Sequence, residues 1–88
     1  MSRAFVNEDA AEPEPKYDLP NRDDPGFDEA AARALIAGAN AGNSLSAENA
    51  TGYRFGEARL RPHVERILAE AIREKDERVE QLARRFLR

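Results

Sequence analysis

One pattern in the second half of the chain restricts the fold more than any other. Between residues 60 and 87 the apolar side chains recur at intervals of three and four, which places them on one side of an α-helix. The pattern misses one step at residues 74–76, where Asp76 can cap a new helix. We therefore expect two successive helices here, the second over residues 77–87. One bent helix through both segments is the alternative.

Another helix is predicted over residues 25–40, where alanine and leucine side chains recur at helical spacing. Asp24 precedes this segment as the expected N-cap. Pro25 takes the first helical position, where the missing N–H removes no hydrogen bond. The small alanine side chains would let a neighbouring helix approach closely.

A shorter helix is predicted between two turn-forming segments. Either Ser44 or Ser46 can cap a helix over residues 45–51, because a serine oxygen accepts the free N–H groups of a first turn. Gly52 is expected to end it, since glycine adopts a positive φ angle without strain.

These segments define an all-α fold class. We predict a small three- to four-helix domain over residues 24–88, with no convincing strand. At least one of the loop aromatics Tyr53 and Phe55 should pack beneath the helices, because exposing both rings would leave much apolar area in water. The other expected core residues are Leu35, Ile36, Leu60, Val64, Ile67, Leu68, Ile72, Val79, Leu82 and Phe86.

The N-terminal part of the chain differs sharply in composition. Residues 1–28 contain eight acidic and three basic residues, and four of the five prolines of the chain. Prolines remove backbone donors, like charges repel, and few apolar residues are present to compensate the entropy lost on ordering. We predict that residues 1–23 form a disordered acidic tail.

The composition argues against an enzyme. The 88 residues contain no cysteine and one histidine, His63, at the start of a predicted helix. Catalysis by a nucleophile requires a base beside it, and no glycine-rich phosphate loop or carboxylate-rich calcium loop is found in the sequence. We expect no catalytic residues, cofactor or metal. The absence of cysteine, of a signal sequence and of an apolar run of about 18 residues suggests a cytoplasmic protein without a membrane partner.

Arginine is abundant near the C-terminus. Residues 54–88 contain nine arginines, and Arg59, Arg66 and Arg73 recur every seven residues on the polar face of the third predicted helix. The same stretch carries seven acidic residues. A nucleic-acid footprint should cluster its cations without interleaved acids, so direct binding of nucleic acid is not favoured.

Residues 42–53 (GNSLSAENATGY) resemble the hairpin-tip region of Gre-type transcript cleavage factors, and the opening MSRAFV resembles the start of some longer Gre-like proteins. In that family, tip acids enter the catalytic centre of RNA polymerase and help to hold a metal ion. The resemblance implies that Glu48 matches the tip glutamate, and that Asn49 and Ala50 match the family's Asn-Ala pair. Asn43 stands where the family has an aspartate.

If residues 42–53 form a tip of the Gre type, Glu48 must be exposed on a turn that projects from the domain. A stabilising role would instead place Glu48 in the first turn of the short helix, beside a Ser46 cap. We expect the second arrangement, with residues 43–52 packed against the domain.

Three functions remain open from the sequence. The leading hypothesis is a small non-enzymatic protein-interaction module associated with the transcription machinery, either a monomer or a weak homodimer. The first alternative is a Gre-like accessory factor that presents Glu48 to RNA polymerase, and the second is a nucleic-acid binder that uses the arginine face. The candidate interaction residues are Phe5, Leu19, Glu48, Tyr53, Phe55, Phe86 and Leu87.

Overall fold

A computed structural model of the chain describes residues 17–88. This part contains four α-helices and one short 3-10 helix, and no strand, so the predicted all-α class is confirmed. The elements are α1 (Phe27–Asn40), α2 (Ser44–Thr51), the 3-10 helix (Ala58–Leu60), α3 (Arg61–Glu74) and α4 (Glu77–Phe86). Most of the predicted acidic tail, including Phe5, lies outside the described residues.

The start of α1 differs from the prediction. The Asp24 carboxylate accepts a hydrogen bond of 2.7 Å from the N–H of Gly26, and its carbonyl accepts one of 3.0 Å from the N–H of Phe27. Asp24 therefore forms a tight turn before the helix, and the N-cap position belongs to Gly26. Asp28 and Glu29 still place negative charge at the positive end of the helix dipole.

The break between α3 and α4 is confirmed. Lys75 adopts a left-handed conformation with a φ angle of 61°. The N–H of Asp76 donates to the carbonyl of Ala71 (2.8 Å) and that of Lys75 to the carbonyl of Ile72 (3.2 Å), as in a Schellman motif. The Asp76 carboxylate then caps α4 by accepting from the N–H of Val79 (3.2 Å).

The core lies where α1, α3 and α4 meet, and most of the side chains predicted for it are buried there. Leu68 and Val79 pack at its edge, while Ile72 is 49% exposed and does not belong to it. Ile72 lies one residue beyond buried Ala71, so it is turned by about 100° away from the packed face. The larger predicted side chains that are buried are Leu35, Ile36, Leu60, Val64, Ile67, Leu82 and Phe86.

Helix α2 packs closely against α1 at Gly38. A Cβ atom built on Gly38 would lie 2.6 Å from the Cβ of Ala47 and 3.1 Å from the carbonyl oxygen of Asn43. Because no side chain fits in that space, the glycine allows the two helices to touch. Ala47 is fully buried as a result.

The folded part begins earlier than the predicted boundary at residue 24. Tyr17 and Leu19 pack against the core from the side, although both belong to the segment predicted to be a tail. Arg22 donates a hydrogen bond of 3.1 Å to the carbonyl of Thr51, and its guanidinium lies 5.3 Å from the centroid of the Phe27 ring. The segment from residue 17 onward is therefore part of the domain.

Candidate interaction surface

Two clefts open between the C-terminal half of α1 and helix α4. The first has a volume of about 200 Å³, and we call it the Phe55 cleft; its lining is Ala39, Ser44, Phe55, Arg78, Leu82 and Arg85. The second has a volume of about 210 Å³, and we call it the Ile36 cleft; its lining is Arg33, Ile36, Ala37, Asn40, Ile67 and Val79. A hydrogen bond of 3.1 Å from Arg78 Nε to Asn40 Oδ1 links their walls.

Phe55 is held in place from two directions. Its ring packs edge-on against Phe86, with 4.8 Å between the ring centroids and an interplanar angle of 61°. Its backbone N–H donates a hydrogen bond of 2.9 Å to the Glu48 carboxylate of α2. The aromatic wall of the Phe55 cleft is therefore preorganised by the core on one side and by α2 on the other.

The Phe55 cleft has a cationic rim. Arg78 and Arg85 are exposed and lie seven residues apart, close to two turns, on one side of α4. Arg78 contacts the neutral amide of Asn40, and within residues 17–88 neither guanidinium forms an ion pair. Arg84, by contrast, is paired with Glu80 at 3.0 Å. Two uncompensated positive charges therefore border apolar Phe55 and Leu82.

The rim of the Ile36 cleft carries compensated charge. Arg33 donates to both carboxylate oxygens of Glu70, at 3.2 and 3.0 Å, and also pairs with Glu29 at 3.4 Å. The hydrogen bonds to Glu70 raise the pKa of Arg33, and they hold the pKa of the Glu70 carboxyl below its ordinary value. This cleft therefore offers an apolar lining without a net positive rim.

The structure places Glu48 within the fold. Its side chain is half-buried, and its carboxylate is engaged by the Phe55 N–H. Residues 43–52 pack against the domain as expected, because Ser46, Ala47 and Thr51 are all buried. The predicted serine cap is wrong, since Ser44 and Ser46 both lie inside α2 and Asn43 is the N-cap residue. The expected place of Glu48 in the first turn is also wrong, because Glu48 follows that turn. Gly52 ends the helix with a φ angle of 78°, as predicted.

Tyr53 anchors the loop after α2. Its hydroxyl donates a hydrogen bond of 2.8 Å to Asp28, and its ring lies 6.2 Å from that of Phe27. This bond raises the pKa of the Tyr53 hydroxyl, because loss of its proton would bring two anions together. Asp28 also pairs with Arg59 at 3.5 Å. Tyr53 and Arg59 therefore serve the packing of the loop.

The remaining candidate residues that the structure describes do not line the two clefts. Phe86 is 1% exposed and lies in the core, where the helical spacing also predicted it. Leu19 and Leu87 are half-buried and pack against the core. Among the predicted interaction residues that the structure describes, Phe55 lines the first cleft, and none lines the Ile36 cleft.

Other kinds of site receive no support from the described residues. Within residues 17–88 no group of three His, Asp or Glu side chains could hold a metal ion. The Arg66 guanidinium donates a hydrogen bond of 3.0 Å to Nδ1 of the lone His63, which engages one arginine of the predicted arginine face. No helix in this range is long and apolar enough to cross a bilayer.

Comparisons with models of protein families, with curated proteins and with solved structures gave no match to this chain. The clefts are therefore the features of this chain that indicate a function. Sequence reasoning missed Arg78 and Arg85, although a signal was present. Arg84 has Glu80 four residues before it, so the two can pair on one helix face. At the same spacing Arg85 has the neutral Gln81, and Arg78 has Glu74, which lies on the other side of the helix break.

Proposed function

We propose that this chain is a small non-enzymatic helical module that binds another protein through the Phe55 and Ile36 clefts. The observation that supports this most is the arrangement of two clefts with apolar side chains along one helix pair, α1 and α4, linked by the Arg78–Asn40 hydrogen bond. Adjacent clefts of this kind accept successive apolar side chains of one helix or extended segment.

The size of the clefts favours a protein partner over a small molecule. Pockets for drug-sized ligands have volumes of roughly 300–1,000 Å³ and enclose most of the ligand. Each cleft here is smaller, at about 200 and 210 Å³. A single side chain presented by a larger partner matches such a space better than a free metabolite does.

RNA polymerase is the first partner to test. The similarity of residues 42–53 to a Gre-type tip suggests the transcription machinery as the setting in which the module acts. We do not favour direct delivery of Glu48 to a catalytic centre, because its carboxylate would first have to leave the Phe55 N–H. Binding through the clefts leaves that hydrogen bond intact.

The proposal is tested by blocking each cleft with one carboxylate. Ala39→Glu places a negative, bulkier side chain in the Phe55 cleft, and Ala37→Glu does so in the Ile36 cleft. Ala69→Glu is the matched control, since Ala69 is an exposed residue of α3 that lines neither cleft. All three substitutions introduce a good helix former, so the helices should be retained.

The measurement is a quantitative pull-down from the native host with the tagged full-length chain, read by mass spectrometry. The proposal predicts at least one protein that the unchanged chain and Ala69→Glu both retain and that a cleft variant loses. RNA polymerase subunits are the first to be compared. Equal recovery of every bound protein by all four chains would contradict the proposal.

A further inference from the structure

We infer that the segment bound at the Phe55 cleft is acidic: an apolar side chain of the partner packs against Phe55 and Leu82, and flanking carboxylates pair with Arg78 and Arg85. The inference depends on the proposed function and names the chemistry of the partner. It follows from the charge at the cleft, where Arg78 and Arg85 form no ion pair within residues 17–88.

The two arginines are available for a partner. Glu74 lies four residues before Arg78, but the helix break at Lys75 separates the two residues. The hydrogen bond from Arg78 to the neutral Asn40 leaves the charge of Arg78 uncompensated. Arg85 has Gln81 four residues before it. Guanidinium groups bind carboxylates through paired hydrogen bonds, so two of them along one helix side can bind acids about two turns apart.

The other elements at the cleft contribute no free carboxylate that would compete. Helix α1 contributes Ala39, and beside it the neutral Asn40. Helix α2 contributes Ser44 at its N-terminal end, and its Glu48 carboxylate already accepts the Phe55 N–H. Glu80 of α4 is paired with Arg84. The charged side chains that line the cleft are therefore the two arginines, and the rest of its lining is neutral.

Nucleic acid is a less suitable polyanion for this cleft. Phosphate backbones are bound by many cations spread along a surface, while here two arginines border an aromatic and aliphatic lining. Acidic residues also interrupt the arginines along α4 itself, at Glu77 and Glu80. An acidic peptide with one apolar anchor satisfies both the charge and the apolar surface of the cleft.

The test is a selection of random displayed peptides on the immobilised full-length chain, followed by affinity measurement. The probe is the most enriched peptide, fluorescently labelled and titrated by anisotropy. The variant is Arg78→Gln/Arg85→Gln. The matched control is Arg66→Gln/Arg73→Gln. It removes two arginines of α3 that are also seven residues apart, so it changes the net charge of the chain by the same amount as the cleft variant does. A labelled random-sequence DNA duplex is titrated in parallel.

We expect enriched peptides with an apolar residue flanked by Asp or Glu. Loss of two partly exposed ion pairs should weaken their binding to the cleft variant about tenfold, or about 1.4 kcal/mol, and leave the control variant within about twofold of the unchanged chain. Enriched peptides without acidic preference, bound equally by both variants, would overturn the inference and leave the proposed function standing. Failure to enrich any peptide would count against both. Duplex binding that is lost with the cleft variant would reassign the arginines to phosphate and also overturn the inference.

Discussion

The carboxylate of Glu48 accepts a hydrogen bond of 2.9 Å from the backbone N–H of Phe55, seven residues later in the chain. This contact joins α2 to the loop that carries the aromatic wall of the Phe55 cleft. It also gives Glu48 a structural role that the local resemblance to a Gre-type tip does not require.

Removal of the Glu48 carboxylate should therefore destabilise the domain. Glu48→Ala leaves a half-buried N–H without its partner, and we expect the free energy of unfolding to fall by about 1–3 kcal/mol. Glu48→Gln retains an acceptor oxygen and should lose less. Urea denaturation of the two variants measures the difference, and the amide exchange rate of Phe55 should rise in Glu48→Ala. Equal stability of the unchanged chain and Glu48→Ala would show that the hydrogen bond is not formed in solution.

The contact between Gly38 and Ala47 predicts a compensating pair of substitutions. Gly38→Ala improves helix propensity by about 1 kcal/mol, but its methyl group would overlap the Cβ of Ala47, and overpacking costs about 1–3 kcal/mol. We expect a net loss of stability. Adding Ala47→Gly should return part of that loss, giving a favourable coupling in a double-mutant cycle measured by thermal unfolding. A cycle without coupling would mean that the helices are further apart than described.

Truncation of two isoleucines of α3 should lower the stability to very different extents. Ile67 is 4% exposed, and Ile67→Ala should lower the free energy of unfolding by about 2–5 kcal/mol, a large share of the stability of so small a domain. Ile72 is 49% exposed, and Ile72→Ala should cost less than about 1 kcal/mol. Urea denaturation of both variants tests which face of α3 is packed. A larger loss for Ile72→Ala would reverse that assignment.

Acid should weaken the link between α1 and α3. The pKa of Glu70 is lowered by its hydrogen bonds with Arg33, so this pair stabilises the fold above the ordinary glutamate pKa of about 4.3. The stabilisation is lost as the pH falls through the lower folded value. We expect Glu70→Gln to be slightly less stable than the unchanged chain at about pH 7 and equal to it well below the folded pKa of Glu70, because Glu70 is then protonated in both states. An equal gap at both pH values would contradict the pairing, and high salt should narrow the gap at pH 7.

Features that depend on neighbouring residues in the chain were predictable from the sequence. The break at residues 74–76 follows from the interrupted apolar spacing and from Asp76, whose capping bond to Val79 spans three residues. The buried stripe of α3 follows from helical spacing in the same way. The start of α1 was misplaced because Asp24 satisfies the nearer N–H of Gly26, a choice between two local hydrogen bonds that the sequence pattern does not resolve.

The clefts depend on contacts between distant segments, and the sequence therefore did not predict them. Arg78 reaches Asn40, 38 residues away, and this distance in sequence leaves no periodic signal. The aromatic residues were predicted as a group, yet their roles diverge: Phe86 is in the core, Tyr53 binds Asp28, and Phe55 alone among them lines a cleft. Which aromatic meets a partner is decided by packing against the rest of the domain.

The central claim, that a protein partner occupies the Phe55 cleft, is tested most directly by site-specific photocrosslinking in the native cells. A photoreactive residue is introduced at Ala39, within the cleft, and in a separate chain at the exposed control position Ala69. We predict a discrete crosslinked species from position 39 that is absent from position 69 and is reduced when Arg78→Gln and Arg85→Gln are added. The same crosslinked products from both positions, unaffected by loss of the two arginines, would contradict the account.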